Sequence, residues 1–168
     1  MWSGKSTTIL RALDRNIIAK KKCLLIKNSL DTRYDGKTIN HSGHEYSGFD
    51  IVKLNKLSDI DIEKIAQYDV IGVDELQFFP DPLELVKWAN IGKIIFAAGL
   101  DAKSDLTEFG ELHKLIPHCE NVNKNQAVCI NCGQDASFTK RITSDTSDIL
   151  VGGKESYISV CRRCYYTD

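Results

Sequence analysis

Three short constellations in this chain could do chemistry. The first is Ser3-Gly4-Lys5-Ser6-Thr7. A glycine lets the backbone curl so that successive N–H groups face an anion. The lysine can then reach phosphate oxygens, and the hydroxyl can sit on magnesium. These residues form the end of a Walker A loop, G-x-x-x-x-G-K-[ST]. The second is Asp74-Glu75, which closes the apolar run Val70-Ile71-Gly72-Val73. An acid at such a strand end can hold magnesium through its waters, and its neighbour can accept a proton. The third is Cys129-x-x-Cys132 with Cys161-x-x-Cys164. Four thiolates in two such pairs surround one zinc tetrahedrally and leave no open position, so this metal would be structural. Each constellation has a plainer reading. Ser-Gly-Lys-Ser also begins ordinary helices, two acids also end ordinary strands in solvent, and a lone Cys-x-x-Cys can be redox-active. It is their joint occurrence, in this order, that points to a magnesium-dependent phosphoryl-transfer site beside a zinc staple.

Such groups need elements to position them. Ile9, Leu10, Leu13, Ile17 and Ile18 recur at helical spacing, which predicts an amphipathic helix from Lys5 to about Lys20. Cys23 to Ile26, Phe49 to Leu54, Asp69 to Glu75 and Lys93 to Leu100 read as strands. Residues 58–67 read as a short helix capped by Ser58 or Asp59. Pro82 to Ile91 reads as another helix, with proline in its first turn and Gly92 just past its end. The polar stretch from Asp31 to Gly48 reads as a loop. Strands without polar alternation, separated by helices, predict an α/β fold: a P-loop, RecA-like parallel sheet flanked and covered by helices. Beyond Pro117 the sequence shows no convincing helix. It shows short alternating segments at 137–142 and 157–160, so a small β-rich zinc-binding domain is expected there. We therefore divide the chain into residues 1–118, which bind phosphate, and residues 119–168, which bind zinc.

Composition narrows the function. The chain has 168 residues, 42% of them apolar, and a net charge of −1. A near-neutral balance offers no electrostatic footprint for nucleic acid or an anionic membrane. No apolar run approaches the ~20 residues that span a bilayer. Six cysteines with no visible signal peptide argue for a reducing, cytoplasmic compartment. Cys23 reads as buried packing in a strand.

The motifs together resemble the thymidine kinases of the cellular and poxviral type, the zinc-containing tetrameric family. The resemblance runs from Met1 to Tyr166. It is carried by Met-Trp-Ser-Gly-Lys-Ser at 1–6, Asp31-Thr32-Arg33-Tyr34 and Val-Ile-Gly-Val-Asp-Glu-Leu-Gln-Phe-Phe at 70–79. Ala98-Gly99-Leu100-Asp101, Phe109-Gly110, Phe138-Thr139-Lys140-Arg141, Gly152-Gly153 and Tyr157 complete it. It implies an ATP-dependent kinase that phosphorylates the 5′-hydroxyl of thymidine, and of deoxyuridine, in nucleotide salvage. By position it implies that Ser3, Gly4, Lys5, Ser6 and Thr7 bind the phosphates of ATP with Arg33. Ser6 and Asp74 hold Mg²⁺, and Glu75 is the general base. Met1, Leu100, Phe109, Thr139, Leu150, Val151, Gly152 and Tyr157 line the nucleoside pocket, and Asp31, Gln77, Phe78 and Phe79 support the site. The stretch between the cysteine pairs resembles a lasso loop whose main chain reads the pyrimidine. The resemblance also implies a structural Zn²⁺, a homotetramer and feedback inhibition by thymidine triphosphate.

Two departures qualify the match. The first Walker glycine and the strand feeding it would lie before Met1, so we expect a preceding N-terminal piece that carries both. Ser104 stands where the family has an aromatic that packs on the base. That keeps open a kinase of another, or a broader, set of deoxynucleosides. The incomplete phosphate loop keeps open a non-catalytic nucleotide-binding zinc module, against which stand Lys5, Ser6, Asp74 and Glu75.

Overall fold

The computed structural model describes residues 1–30, 46–147 and 149–167; Asp31 and Arg33 lie outside the described residues. Helix α1 (Lys5–Ile18) is followed by strand β1 (Cys23–Asn28), β2 (Asp50–Leu54), helix α2 (Ile62–Ala66), β3 (Val70–Val73), α3 (Glu84–Asn90) and β4 (Ile94–Ala97). The four strands form one sheet in the order β2-β1-β3-β4, and every pairing is parallel.

β1 explains why its sequence is an unbroken apolar run. It lies between two strands, and all six residues are buried. Leu24 and Ile26 point into a cluster with Leu57, Ile65, Ile71, Val73, Phe79 and Trp88. Cys23 and Leu25 point the other way, into a cluster with Ile9, Leu10, Leu13 and Val70. A strand covered on both faces has no polar side to show. The helix α1 sits unusually close over β3. A Cβ on Gly72 would meet Ile9 Cγ2 at 2.8 Å and Leu13 Cδ1 at 3.1 Å. Any side chain there would have to displace the side chains of Ile9 and Leu13 on the phosphate-loop helix.

The outer strands are less covered than the sequence predicts. Asp50, Ile51 and Lys53 of β2 are exposed, as are Ile94 and Ala97 of β4. Both are edge strands of the described sheet. The predicted helix over 58–67 divides. A single 3-10 turn spans Leu57–Asp59, Ile60 is extended, and α2 begins after Asp61. The cause is tertiary: the Asp81 carboxylate accepts from the N–H groups of Leu57 and Ser58, both at 2.9 Å, so the first turn is closed from outside. α3 begins two residues beyond Pro82, and Gly92 follows it at φ 84. Leu112–His118 forms a 3-10 stretch.

After residue 119 come two antiparallel hairpins. β5 (Ala127–Val128) pairs with β6 (Asp135–Ala136), and β7 (Phe138–Arg141) pairs with β8 (Tyr157–Val160). A fourth helix, α4 (Arg162–Tyr166), follows, contrary to the expectation of no helix in this region. It has five residues, too few for an apolar period, and its N-cap is Cys161, whose Sγ accepts from Cys164 N–H at 3.5 Å. A thiol is a rare cap, so the sequence carries no ordinary start signal. Among the described residues no helix is long and apolar enough to cross a membrane.

Candidate active site

The phosphate loop turns into α1 at Gly4, which has φ 76 and ψ 15. Nothing lies within 4 Å of a Cβ placed there. The glycine is therefore needed for its left-handed backbone and not for space. Its carbonyl accepts from Thr8 N–H at 2.9 Å and from the Thr8 hydroxyl at 3.1 Å. The N–H groups of Lys5, Ser6 and Thr7 belong to the first turn, where a helix leaves donors without internal partners and presents its positive end.

Parallel pairing brings the acids to the same end of the sheet. Asp74 follows β3 directly, its N–H donates to Ile26 O at 3.0 Å, and it is only 8% exposed. Its Oδ1 accepts from Glu75 N–H at 3.0 Å. Glu75 has φ 52, a left-handed conformation uncommon for a side chain of its size. That turn breaks the strand and aims the second acid away from the first. Gln77, 4% exposed, donates from Nε2 to Glu75 Oε2 at 2.6 Å and accepts at Oε1 from Leu100 N–H at 2.9 Å. The Phe78 and Phe109 rings meet edge to face at 5.6 Å. Phe79 does not reach the cavity; it is 1% exposed within the larger core.

The phosphate loop, Glu75, Gln77, Phe78 and Phe109 face one cleft of about 510 Å³. Ser3, Gly4, Lys5, Ser6 and Thr7 form one wall, and Glu75, Gln77 and Phe78 form the floor. Met1, Leu100, Phe109, Thr139 and Tyr157 line it as well, and Leu150, Val151 and Gly152 close it from the loop after β7. Asp74 is not among the lining residues. The Met1 backbone nitrogen donates to Thr139 Oγ1 at 2.9 Å, which ties the two proposed pocket residues to each other.

Four cleft features were not assigned from sequence. Arg141 Nη1 donates to the carbonyls of Asp145 and Ser147, both at 2.8 Å, and Nη2 reaches the Tyr157 hydroxyl at 3.3 Å. That hydroxyl donates to Leu150 O at 2.8 Å. Arg141 and Tyr157 thereby shape the loop that closes the cleft. Lys103 also lines it. Trp2, at φ 53, lines it and packs against the cysteine-rich core. Ser104 carries the fourth: its carbonyl accepts from the Tyr165 hydroxyl at 2.6 Å. Arg141 belongs to the quoted Phe-Thr-Lys-Arg motif. Its loop-holding bonds, however, depend on carbonyl positions that no local pattern encodes.

The sulfurs of Cys129, Cys132, Cys161 and Cys164 all lie within 4.8 Å of one another, with Cys132 and Cys161 at 3.6 Å. Tetrahedral zinc with Zn–S bonds of ~2.3 Å needs sulfurs ~3.8 Å apart, so the cluster fits that ion. Both knuckles close a backbone bond from the fourth residue on to the carbonyl of their first cysteine, and Tyr165 N–H reaches Cys161 O at 2.9 Å. Gly133, at φ 73, lets its N–H turn back to Cys129 O at 2.9 Å, and Cys161 begins α4. The thiol of Cys164 is pushed up to about 12, chiefly by hydrogen bonding with Cys132 and Cys161 and then by burial. Such a proton is what a metal displaces on binding.

A family profile described as thymidine kinase matches residues 1–165. The chain is 43% identical over 169 aligned positions to the thymidine kinase of sheeppox virus, covering 100% of this chain and 93% of that one. It is 41% identical to the thymidine kinase of raccoon poxvirus, with 100% and 93% covered. It is 42% identical to that of vaccinia virus strain Western Reserve, with 98% and 92% covered.

Proposed function

This chain belongs to the thymidine kinase family, and from that membership we propose that it transfers the γ-phosphate of ATP to the 5′-hydroxyl of thymidine. The observation that carries the reading is a cleft lined jointly by the phosphate loop, Glu75 and the loop residues Leu150 to Gly152. A kinase must hold a nucleotide, a base and an acceptor together while excluding water.

In this reading the first turn of α1, with Lys5, binds the phosphates of ATP, and Arg33 joins it. Ser6 and, through water, Asp74 would hold Mg²⁺, which would offset phosphate charge. Glu75 accepts the proton of the 5′-hydroxyl as the new O–P bond forms and ADP leaves. Met1, Leu100, Phe109, Thr139 and Tyr157 surround the nucleoside, and the main chain from Leu150 to Gly152 reads the pyrimidine edge. A Cβ on Gly152 would meet Ser156 Oγ at 2.6 Å, so packing within the loop itself favours glycine there. The four-cysteine cluster holds a structural Zn²⁺, and a thiol site of this kind fits a reducing cytoplasm. We also assign deoxyuridine as a substrate, a homotetrameric state and inhibition by thymidine triphosphate, which sedimentation and inhibition assays test directly.

Glu75→Gln is the decisive variant. An amide cannot take the proton, so kcat should fall by about 10²–10⁴-fold while thymidine still binds. Near wild-type kcat in this variant sinks the assignment. Ser104 at the cleft wall supports a second, broader reading in which other deoxynucleosides enter. A substrate panel decides between the two, because efficient phosphorylation of deoxyadenosine or deoxyguanosine excludes a pyrimidine-only site.

A further inference from the structure

We infer that Gln77 is a positioning residue for the general base, fixing the Glu75 carboxylate through an amide whose other end is locked to the nucleoside wall. The inference rests on the assignment of Glu75 as the base.

Glu75 has three side-chain torsions, and a base that samples several rotamers spends little time within reach of one hydroxyl. The Gln77 amide removes that freedom. Its Nε2 donates to Oε2 of Glu75 at 2.6 Å, and its Oε1 accepts from Leu100 N–H at 2.9 Å. The amide has only one workable orientation. Flipped, it would set its oxygen against a carboxylate and its NH₂ against a backbone N–H. The Leu100 backbone therefore decides which end of Gln77 faces the base.

The surroundings leave the amide no other place to go. Gln77 is 4% exposed. A Cβ on Gly99 would lie 2.8 Å from Oε1 of Gln77, and a Cβ on Gly110 would lie 2.6 Å from the backbone carbonyl oxygen of Gln77. Gly99 thus leaves room for the amide end, and Gly110 lets the chain pass close to the Gln77 backbone. A neutral donor also orients the carboxylate without cancelling its charge, as a lysine or arginine would. Gln77 links Leu100, at the nucleoside wall, to Glu75, at the reacting hydroxyl, through one rigid side chain.

A double-mutant cycle on the full chain tests this, with Gln77→Met, Glu75→Gln and the double variant assayed for kcat and thymidine KM. Methionine keeps length and apolar volume but loses both polar ends. Gln77→Met should lower kcat by about 10- to 100-fold with thymidine KM changed less than about threefold, as expected for lost alignment. In the Glu75→Gln background the same change should lower kcat by less than about twofold, because no base remains to be aligned. An equal drop in both backgrounds means that Gln77 acts elsewhere and overturns the inference. So does a rise in KM at constant kcat. Gln77→Asn is the companion variant in case methionine unfolds the chain: it keeps a neutral amide but is one methylene too short to bridge Leu100 and Glu75, so wild-type kcat in it overturns the inference too. Near wild-type kcat in Glu75→Gln alone removes the base and the inference together, whereas an additive cycle removes only the inference.

Discussion

Ser104 lines the cleft where the thymidine kinase resemblance implies an aromatic side chain, and its carbonyl is pinned by the Tyr165 hydroxyl at 2.6 Å. The backbone there is held from both sides, since Lys103 N–H also donates to Thr107 O at 2.9 Å across a tight turn. A larger side chain at 104 therefore starts from a fixed Cα. Ring packing is worth about 0.5–1.5 kcal/mol beyond burial, so Ser104→Phe should lower thymidine KM by a factor of about 2 to 12. An unchanged KM would show that another residue already fills the aromatic's place. Candidates for local chemistry were legible in the sequence. Gly4 with Lys5 and Ser6, and Asp74 with Glu75, stood out as candidates by type and spacing, as did the cysteine pairs that the structure brings together. Gln77 and Arg141 were not legible in the same way. Their roles come from what lies across space, Leu100 in one case and the carbonyls of Asp145 and Ser147 in the other.

Elements were legible where burial is symmetrical and obscure where tertiary contacts intervene. β1 and β3 read as strands because both faces are covered, and α1 read as a helix because one face is. The region 57–66 misled because Asp81, distant in sequence, caps its first turn. That cap gives a pH-dependent prediction. Burial raises the Asp81 carboxyl, but the N–H donors of Ser58 and Leu57 outweigh it and hold the group below its ordinary value. A carboxyl lower in the folded than in the unfolded state stabilises fully above its unfolded value. The stabilisation fades as pH falls through the folded one. Asp81→Asn should therefore cost about 1 kcal/mol at neutral pH, the usual size of a lost cap. The gap from wild type should close as pH falls below the carboxylate range. Thermal melts of both proteins from neutral to acid pH check it, and a gap that stays constant with pH would mean that Asp81 stabilises by shape alone.

At the scale of the whole molecule, we propose that residues 1–118 and 119–168 are two units, and specific contacts tie the phosphate loop to the cysteine-rich core. Met1 bonds to Thr139, Tyr165 bonds to Ser104, and Trp2 leaves the phosphate loop to pack with Ala127, Cys129, Ala136, Val160 and Cys164. Two of the five buried residues in that small core are the cysteines themselves. So few apolar side chains cannot hold a lobe of this size, and a bound structural zinc, worth about 10–16 kcal/mol in small zinc domains, can. Removing the metal should then loosen the surface on which Trp2 rests. Purified protein should contain one zinc per chain. Cys161→Ser, or chelation, should release it, lower Tm and raise thymidine KM as the loop after β7 loses its anchor. The Trp2 contact supplies an independent readout. Trp88 is 2% exposed in the sheet core and would mask the signal, so the measurement belongs in Trp88→Phe. There, chelation should shift Trp2 emission to the red, and restored zinc should reverse it. Protein purified without zinc, with four freely titrating thiols, would exclude the metal staple. Zinc loss with unchanged Trp2 emission would show that the phosphate loop does not lean on the metal lobe.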